Sequence, residues 1–147
     1  MAVKIEFFVP GIPRRGGSKR AFFNRRTGKA MVVEDCKTTR DWRATVQLAA
    51  RDAYSGPPLS GPIALYVVFH LPRPKSHYGT GRNADRLKPS APRWHATKPD
   101  TTKLLRSTED ALTGVIWRDD ALIARQTAVK QYAETCGAMI VAATLED

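Results

Sequence analysis

Apolar and polar residues alternate in several segments of the chain, a pattern typical of β-strands with one buried face. Val3 to Val9 mostly alternates and ends at Pro10, which predicts a first strand. Pro62 to Leu71 is β-branched and aromatic along its length, which predicts a central strand. Leu122 to Gln131 alternates and Ala138 to Leu145 is apolar throughout, so both are predicted to complete the sheet.

Two further segments repeat their apolar residues at helical spacing. Residues 38–54 are predicted to form a helix that stops at Gly56-Pro57-Pro58, and residues 101–113 a second helix that stops at Gly114. Val115 to Trp117 is predicted to be extended again. The predicted inward residues are Trp42, Val46, Ala49, Ala50 and Ala53 in the first helix and Leu104, Leu105, Thr108, Ala111 and Leu112 in the second.

The remaining regular structure predicted is a hairpin. Ala21 to Phe23 and Ala30 to Val33 flank NRRTGK, in which Gly28 can adopt the positive φ of a tight turn. Together these elements indicate an α/β (α+β) fold with a small mixed β-sheet and two main helices. A length of 147 residues suits a single domain spanning 1–147.

Between the central strand and the second helix lies a long segment without apolar periodicity, residues 72–99. It contains seven Lys or Arg residues and one acid, together with several Pro and Gly. Irregular segments of this length within compact domains are usually functional or mobile. We therefore expect a basic functional loop.

Charge narrows the possible partners. The chain carries 24 Lys and Arg against 14 Asp and Glu, a net charge of +10, and has a pI near 10.1. Such a balance favours nucleic acid or another acidic partner, although a generally basic surface is the simpler alternative. The bases concentrate early, since residues 11–29 hold seven and no acid, whereas residues 107–147 hold seven acids and three bases.

Membrane insertion and disulfide scaffolds are not expected. The chain has no apolar run of the roughly 18 to 20 residues that span a bilayer, and its N-terminus lacks a signal-peptide pattern. Cys36 and Cys136 are isolated and are predicted to be reduced and unpaired. These features predict a cytoplasmic protein.

Acidic residues bracket the second predicted helix, with Asp100 before it and Asp119 and Asp120 after it. Singly, they could be a helix cap and a polar turn. A strand running back along a helix of roughly 20 Å could instead bring them together. Carboxylates that meet on a basic surface repel one another unless a cation joins them, and Mg²⁺ or Mn²⁺ prefers such oxygen ligands. A hard divalent ion beside a phosphodiester indicates a nuclease.

The stretch KPDTTKLLRSTEDALTG followed by VIWRDDALI resembles the core of the RusA-type Holliday junction resolvases, small phage and prophage endonucleases. The family pattern runs approximately K/R-P-D-x-D-N-L-x-K, then D-A-L, then D-D-x-x-V, and the likeness covers about 25 residues. The matching positions are Asp100, Leu104, Arg106 in place of the final lysine, Asp110-Ala111-Leu112 and Asp119-Asp120.

The resemblance implies a Mg²⁺-dependent homodimer, in the cytoplasm of a bacterial host, that binds four-way DNA junctions and nicks two strands during recombination and repair. It implies that Asp100 and Asp120 are metal ligands, that Asp119 supports them, and that Arg106 contacts the scissile phosphate. The alternative is a branched-DNA-binding protein of the same fold without catalysis. An RNA-binding module is a third possibility, against which the lack of RNP-type aromatic motifs argues.

One departure from the family pattern affects the site. The second motif aspartate is replaced by Thr102 and the asparagine by Lys103. Three alternatives follow: fewer acids hold the metal, another acid substitutes, or cleavage is lost. Glu109 is the candidate substitute because it shares the helix face of Thr102 and Arg106, although it lies about 10 Å further along the axis.

The basic residues of the early segment, the loop and the second helix are predicted to contact the DNA backbone. They are Arg14, Arg15, Lys19, Arg20, Arg25, Arg26, Lys75, Arg82, Arg86, Lys88, Arg93, Lys98 and Lys103. Tyr78 and Trp94 among them could stack on bases or pack the loop down.

Overall fold

The computed structural model describes residues 2–15, 19–24, 29–34 and 39–146, with backbone alone for 19–24, 29–34 and 39–41. The described residues form six strands and two α-helices. In chain order these are β1 (Lys4–Pro10), β2 (Lys19–Asn24), β3 (Lys29–Glu34), α1 (Thr39–Ala53), β4 (Ile63–Leu71), α2 (Thr101–Leu112), β5 (Ile123–Tyr132) and β6 (Gly137–Thr144).

Four strands form a mixed sheet in the order β1-β6-β4-β5. β4 pairs in parallel with β5, and the other two pairings are antiparallel. The register places Pro10, Leu71 and Tyr132 near one level, so β1, β4 and β5 all end at the same edge, which we call the C-terminal edge. The predicted mixed α+β fold is confirmed, with β4 as a central strand.

The core lies between this sheet and the two helices. β1 buries every second residue, and α1 packs on β1 while α2 packs on β5 and on α1. The predicted inward face of α2 is entirely buried. In α1, Trp42, Val46 and Ala50 are buried, whereas Ala53 is exposed because it lies in the last turn. The indole of Trp42 donates a hydrogen bond of 3.3 Å to the Thr108 hydroxyl, which joins the two helices.

β2 and β3 pair antiparallel in a separate two-stranded sheet, which confirms the hairpin pairing. The predicted basic tip at residues 25–28 lies outside the described residues, as does Cys36. Cys136 is a free thiol, and burial raises its pKa. No helix within the described ranges is long and apolar enough to cross a membrane.

The predicted extended segment at Val115 to Trp117 is wrong. The backbone there turns, with Gly114 at φ +89° and the Val115 and Ile116 amides donating to the Leu112 carbonyl. Strand geometry is limited to two isolated bridges of Trp117, to Leu59 and to Thr113. Ile116 and Trp117 are fully buried, so an apolar corner of the core produced the pattern of a short strand.

Candidate active site

Asp100 occupies the N-cap position of α2, but its carboxylate accepts no capping hydrogen bond from the described backbone. The backbone carbonyl of Asp100 accepts the first helical bond from the Leu104 amide at 3.0 Å. Its side chain is exposed and lies 3.7 Å from the Lys103 ammonium. Such an exposed pair contributes little to stability, so the carboxylate remains accessible to a cation or a proton.

Lys130 of β5 fixes the backbone that leads into Asp100. Its ammonium donates to the carbonyl of Thr97 at 2.7 Å and to that of Pro99 at 2.9 Å. These bonds hold the end of the loop against the sheet near its C-terminal edge. No local sequence pattern predicted this role of Lys130, because its two carbonyl partners lie 33 and 31 residues away.

Asp119 and Asp120 lie at the opposite edge of the sheet, because they precede β5 while Lys130 is near its end. Asp119 Oδ1 accepts a hydrogen bond from the Ala121 amide at 2.9 Å and so caps a 3-10 turn at Asp120–Leu122. The Asp120 side chain is exposed. Asp119 therefore orients the turn that presents Asp120.

Glu109, near the end of α2, is an acid on which the charge of Asp120 acts. The Glu109 side chain is half-buried, and its Oε1 atom has no hydrogen-bond partner among the described residues. Burial raises the pKa of the Glu109 carboxyl above its ordinary value near 4.5, and the charges of Asp120 and Asp110 raise it further. The predicted candidate acid is thus within electrostatic range of Asp120, at the end of α2 opposite Asp100.

The structure does not bring Asp100 and Asp120 together within one chain. From Asp100 to Glu109 the helix rises roughly 14 Å, and from Lys130 to the start of β5 the strand runs roughly 23 Å. The expectation that the strand returns the acids to Asp100 is therefore wrong for a single chain. No three Asp, Glu, His or Cys side chains in the described part are close enough to hold a metal ion. One chain alone does not fit a three-acid metal site.

Asp110, which matches the D-A-L motif, pairs with a different element. Its carboxylate lies 3.6 Å from the Arg43 guanidinium of α1. The following Ala111 and Leu112 are buried in the core. This part of the motif therefore connects the helices and has a structural role.

The basic loop is folded against the end of β5. Tyr132 is surrounded by the Arg73 guanidinium at 4.3 Å from its ring centroid, by His77 at 5.3 Å and by His95 at 4.8 Å. Trp94 forms a backbone bridge to Gln131 while its side chain stays 61% exposed. The loop therefore has a defined anchor, and Trp94 remains available for stacking.

The predicted DNA contacts of the loop and α2 are all solvent-exposed. They are Lys75, Arg82, Arg86, Lys88, Arg93, Lys98 and Lys103. Arg93 lies over the Trp94 ring at 5.5 Å. Arg14 and Arg15 follow β1 and are partly buried. Arg25 and Arg26, and the side chains of Lys19 and Arg20, lie outside the described residues.

Comparison with known proteins relates this architecture to a family. A family model described as "Endodeoxyribonuclease RusA" matches residues 10–142, which include both helices and most of the sheet. The chain belongs to the RusA endodeoxyribonuclease family. RusA proteins are nucleases of the Holliday junction resolvase type that bind branched DNA and generally depend on a divalent metal. The chain is also 27% identical over 130 residues to the uncharacterized protein YqaN of Bacillus subtilis (strain 168), covering 88% of this chain and 89% of that protein.

Proposed function

We propose that this chain is a Mg²⁺-dependent endonuclease that resolves four-way DNA junctions, with residues 1–147 as one endonuclease domain. The observation that carries the proposal is the match to the RusA family over residues 10–142. Exposed carboxylates of Asp100 and Asp120 on a chain of net charge +10 support it. Mn²⁺ is expected to replace Mg²⁺, because both prefer oxygen ligands.

In this proposal Asp100 and Asp120 are the principal acids, Asp119 supports Asp120, and Arg106 binds the phosphate. Asp119 already holds the turn that carries Asp120. Arg106 is exposed on α2 between Lys103 and Glu109. An arginine here keeps the positive charge of the family's lysine and offers a planar fork to phosphate oxygens.

DNA would be bound mainly through the phosphate backbone by the exposed bases of the loop and the early segment. Each neutralised phosphate releases counterions, so affinity should fall steeply as salt concentration rises. The loop is anchored at Tyr132 and Lys130, so its Lys and Arg side chains extend from a fixed backbone next to Asp100.

We also propose that the active form is a homodimer. The separation of Asp100 and Asp120 at opposite edges of the sheet supports a second chain, because a two-fold partner can place its own acids beside those of the first. A two-fold dimer also suits a junction with two equivalent strands to cut. Its expected compartment is the bacterial cytoplasm, and its expected role is in recombination and repair, as for a phage-encoded resolvase.

A second candidate function is binding of branched DNA without cleavage. Thr102, a neutral hydroxyl where the family has an acid, favours it. A labelled four-way junction incubated with and without Mg²⁺ separates the two functions. Paired nicks near the branch point that require Mg²⁺ support the nuclease, whereas a shifted but intact junction supports the binding protein. A linear duplex of equal length serves as the control substrate.

A further inference from the structure

A cavity of about 350 Å³ opens at the C-terminal edge of the sheet. It lies between the segment that follows β1, the end of β4 and the last residues of the loop. Its lining residues are Ile12, Pro13, Arg14, Arg15, Leu71, Pro72, His95, Lys98 and Pro99. The volume is at the lower end of the range for sites that take small ligands or single groups of larger ones.

The walls of the cavity combine two chemistries. Ile12, Leu71 and three prolines form apolar surface, with Ile12 43% exposed at the mouth. Arg14, Arg15 and Lys98 add positive charge. No acidic side chain is among the lining residues within the described ranges. A ligand with a flat apolar part and an attached anion matches both.

His95 is a buried polar group of this cavity that lacks a partner. Its side chain is 9% exposed, and its Nδ1 atom makes no hydrogen bond within the described part of the chain. The ring is held by its tilted contact with Tyr132 at 4.8 Å. Buried polar atoms are normally satisfied by protein, water or ligand, so Nδ1 can bind a polar group that enters the cavity.

The charge state of His95 suits a neutral partner. Burial lowers the pKa of His95 and the nearby Lys130 and His77 lower it further, against an opposing effect of its own backbone that is smaller than that of burial. A neutral imidazole offers one donor and one acceptor, as the edge of a nucleobase does. The cations at the rim, rather than His95, would then hold the anionic part of a ligand.

The position of the cavity connects it to Asp100. Lys98 and Pro99 line it and immediately precede Asp100, and Lys130 holds Pro99 in place. A group bound in the cavity therefore lies next to a proposed catalytic carboxylate.

We propose that this cavity receives an unpaired nucleobase at the branch point of DNA, with its flanking phosphates on Arg14 and Lys98. The inference rests on the proposed function for the identity of the DNA. Enzymes that act on DNA often take a base out of the stack, at less cost where continuous stacking is already interrupted, as between the arms of a four-way junction. The apolar walls would cover the base, and His95 would bind its edge.

The test compares the affinity of the protein for two four-way junctions in EDTA, which prevents cutting. One junction carries normal bases at the branch point, and the other carries abasic residues at the same positions with all phosphates intact. Base stacking in a protein site predicts that the normal junction binds roughly tenfold more tightly. Equal affinity for the two junctions would overturn the proposal and indicate a site for backbone phosphate alone.

Two variants locate the effect in the cavity. His95→Phe keeps an aromatic ring against Tyr132 and removes Nδ1, and Ile12→Ser shortens an exposed wall without touching the core. Both should reduce the ratio of the two affinities toward one. Lys75→Ala removes a positive charge outside the cavity lining, so it should lower the affinity for both junctions equally and keep the ratio. A ratio unchanged in His95→Phe and Ile12→Ser would contradict the site.

A second probe separates this inference from the proposed function. A single-stranded pentanucleotide with central 2-aminopurine should show a change in fluorescence on binding wild type that is reduced in Ile12→Ser. If this holds and no junction is cut, the proposed function fails and the cavity stands. If junctions are cut but neither probe distinguishes the variants, the cavity proposal fails alone.

Discussion

Among single residues, Thr102 stands where the family pattern has an acid, which would weaken the binding of a cation at the proposed site. Thr102 is exposed in the first turn of α2, two positions after Asp100. Its hydroxyl is a weaker ligand for Mg²⁺ than a carboxylate. This chain should then need a higher Mg²⁺ concentration for cleavage than a protein with the full motif.

Restoring the acid should raise activity. We expect Thr102→Asp to increase the single-turnover cleavage rate at limiting Mg²⁺ on the order of tenfold, because an added ligand raises metal affinity. The rate is measured as a function of Mg²⁺ concentration, with Thr102→Asn as a neutral control. A Thr102→Asp protein with the Mg²⁺ dependence of wild type would show that position 102 does not face the metal.

Glu109 makes stability depend on pH. Its pKa is raised in the folded state, so the folded protein holds this proton more tightly than the unfolded chain. The stabilisation is full below the ordinary value near 4.5 and is lost as pH rises through the raised pKa. At neutral pH the ionised group is therefore unfavourable.

Removing that charge tests the effect. Glu109→Gln should melt at a higher temperature than wild type at pH 7, and the difference should close near pH 4, where Glu109 is protonated. Thermal melting from pH 4 to pH 7 measures this difference, with Asp52→Asn, at an exposed position of α1, as the control. If Glu109→Gln melts lower than wild type at pH 7, the carboxylate has a favourable partner instead.

Among the helices and strands, the hydrophobic pattern predicted the bounds of β1 and α2, which have one buried face, and of β4, most of whose residues are buried. β1, β4 and α2 begin and end within about one residue of their predicted bounds. Alternation specifies β1, β-branched residues specify β4, and Gly114 specifies the end of α2. Val115 to Trp117 failed because a buried corner and a buried strand have the same composition. Local patterns could identify the acids but could not place them.

The placement of the acids depends on long-range pairing. β5 runs parallel to β4, so Asp120, which precedes β5, lies at the sheet edge opposite Asp100. No local sequence pattern specifies that pairing. The i+3 spacing predicts that Glu109 shares the helix face of Arg106, but the effect of the Asp120 charge on Glu109 follows from how α2 lies on β5. Lys130 was missed for the same reason, since its carbonyl partners lie 31 and 33 residues away.

The anchoring of Asp100 by β5 predicts a positioning role for Lys130. Lys130→Met deletes both hydrogen bonds and should lower the cleavage rate more than it lowers junction affinity. We also expect a stability loss of roughly 1 kcal/mol, or about 2–4 °C in Tm. Lys130→Arg, which keeps a charged donor, should recover much of the rate. Loss of affinity and rate in equal proportion would instead indicate a simple DNA contact.

In the proposed homodimer, each site is expected to combine Asp100 of one chain with Asp120 of the other, since one chain holds these residues apart. If Asp100 of one protomer acts with Asp120 of its partner, a heterodimer of Asp100→Asn and Asp120→Asn has one intact pair. Mixing equal amounts of the two inactive variants should then restore cleavage of one strand per heterodimer. The rate per chain should reach about a quarter of wild type, because about half of the two-fold dimers are heterodimers and each has one intact site. Each variant mixed with itself is the control. No recovery on mixing would place both acids of a site in the same chain.

This basic chain is proposed to cut branched DNA with Asp100 and Asp120. The most direct test is cleavage of a labelled four-way junction in Mg²⁺ by wild type, Asp100→Asn and Asp120→Asn, with junction affinity measured in EDTA. We expect nicks by wild type, loss of nicking by about a hundredfold or more in each variant, and affinity within a few fold of wild type, since only exposed acids are replaced by neutral residues. An Asp100→Asn or Asp120→Asn protein that cuts like wild type would contradict the proposal.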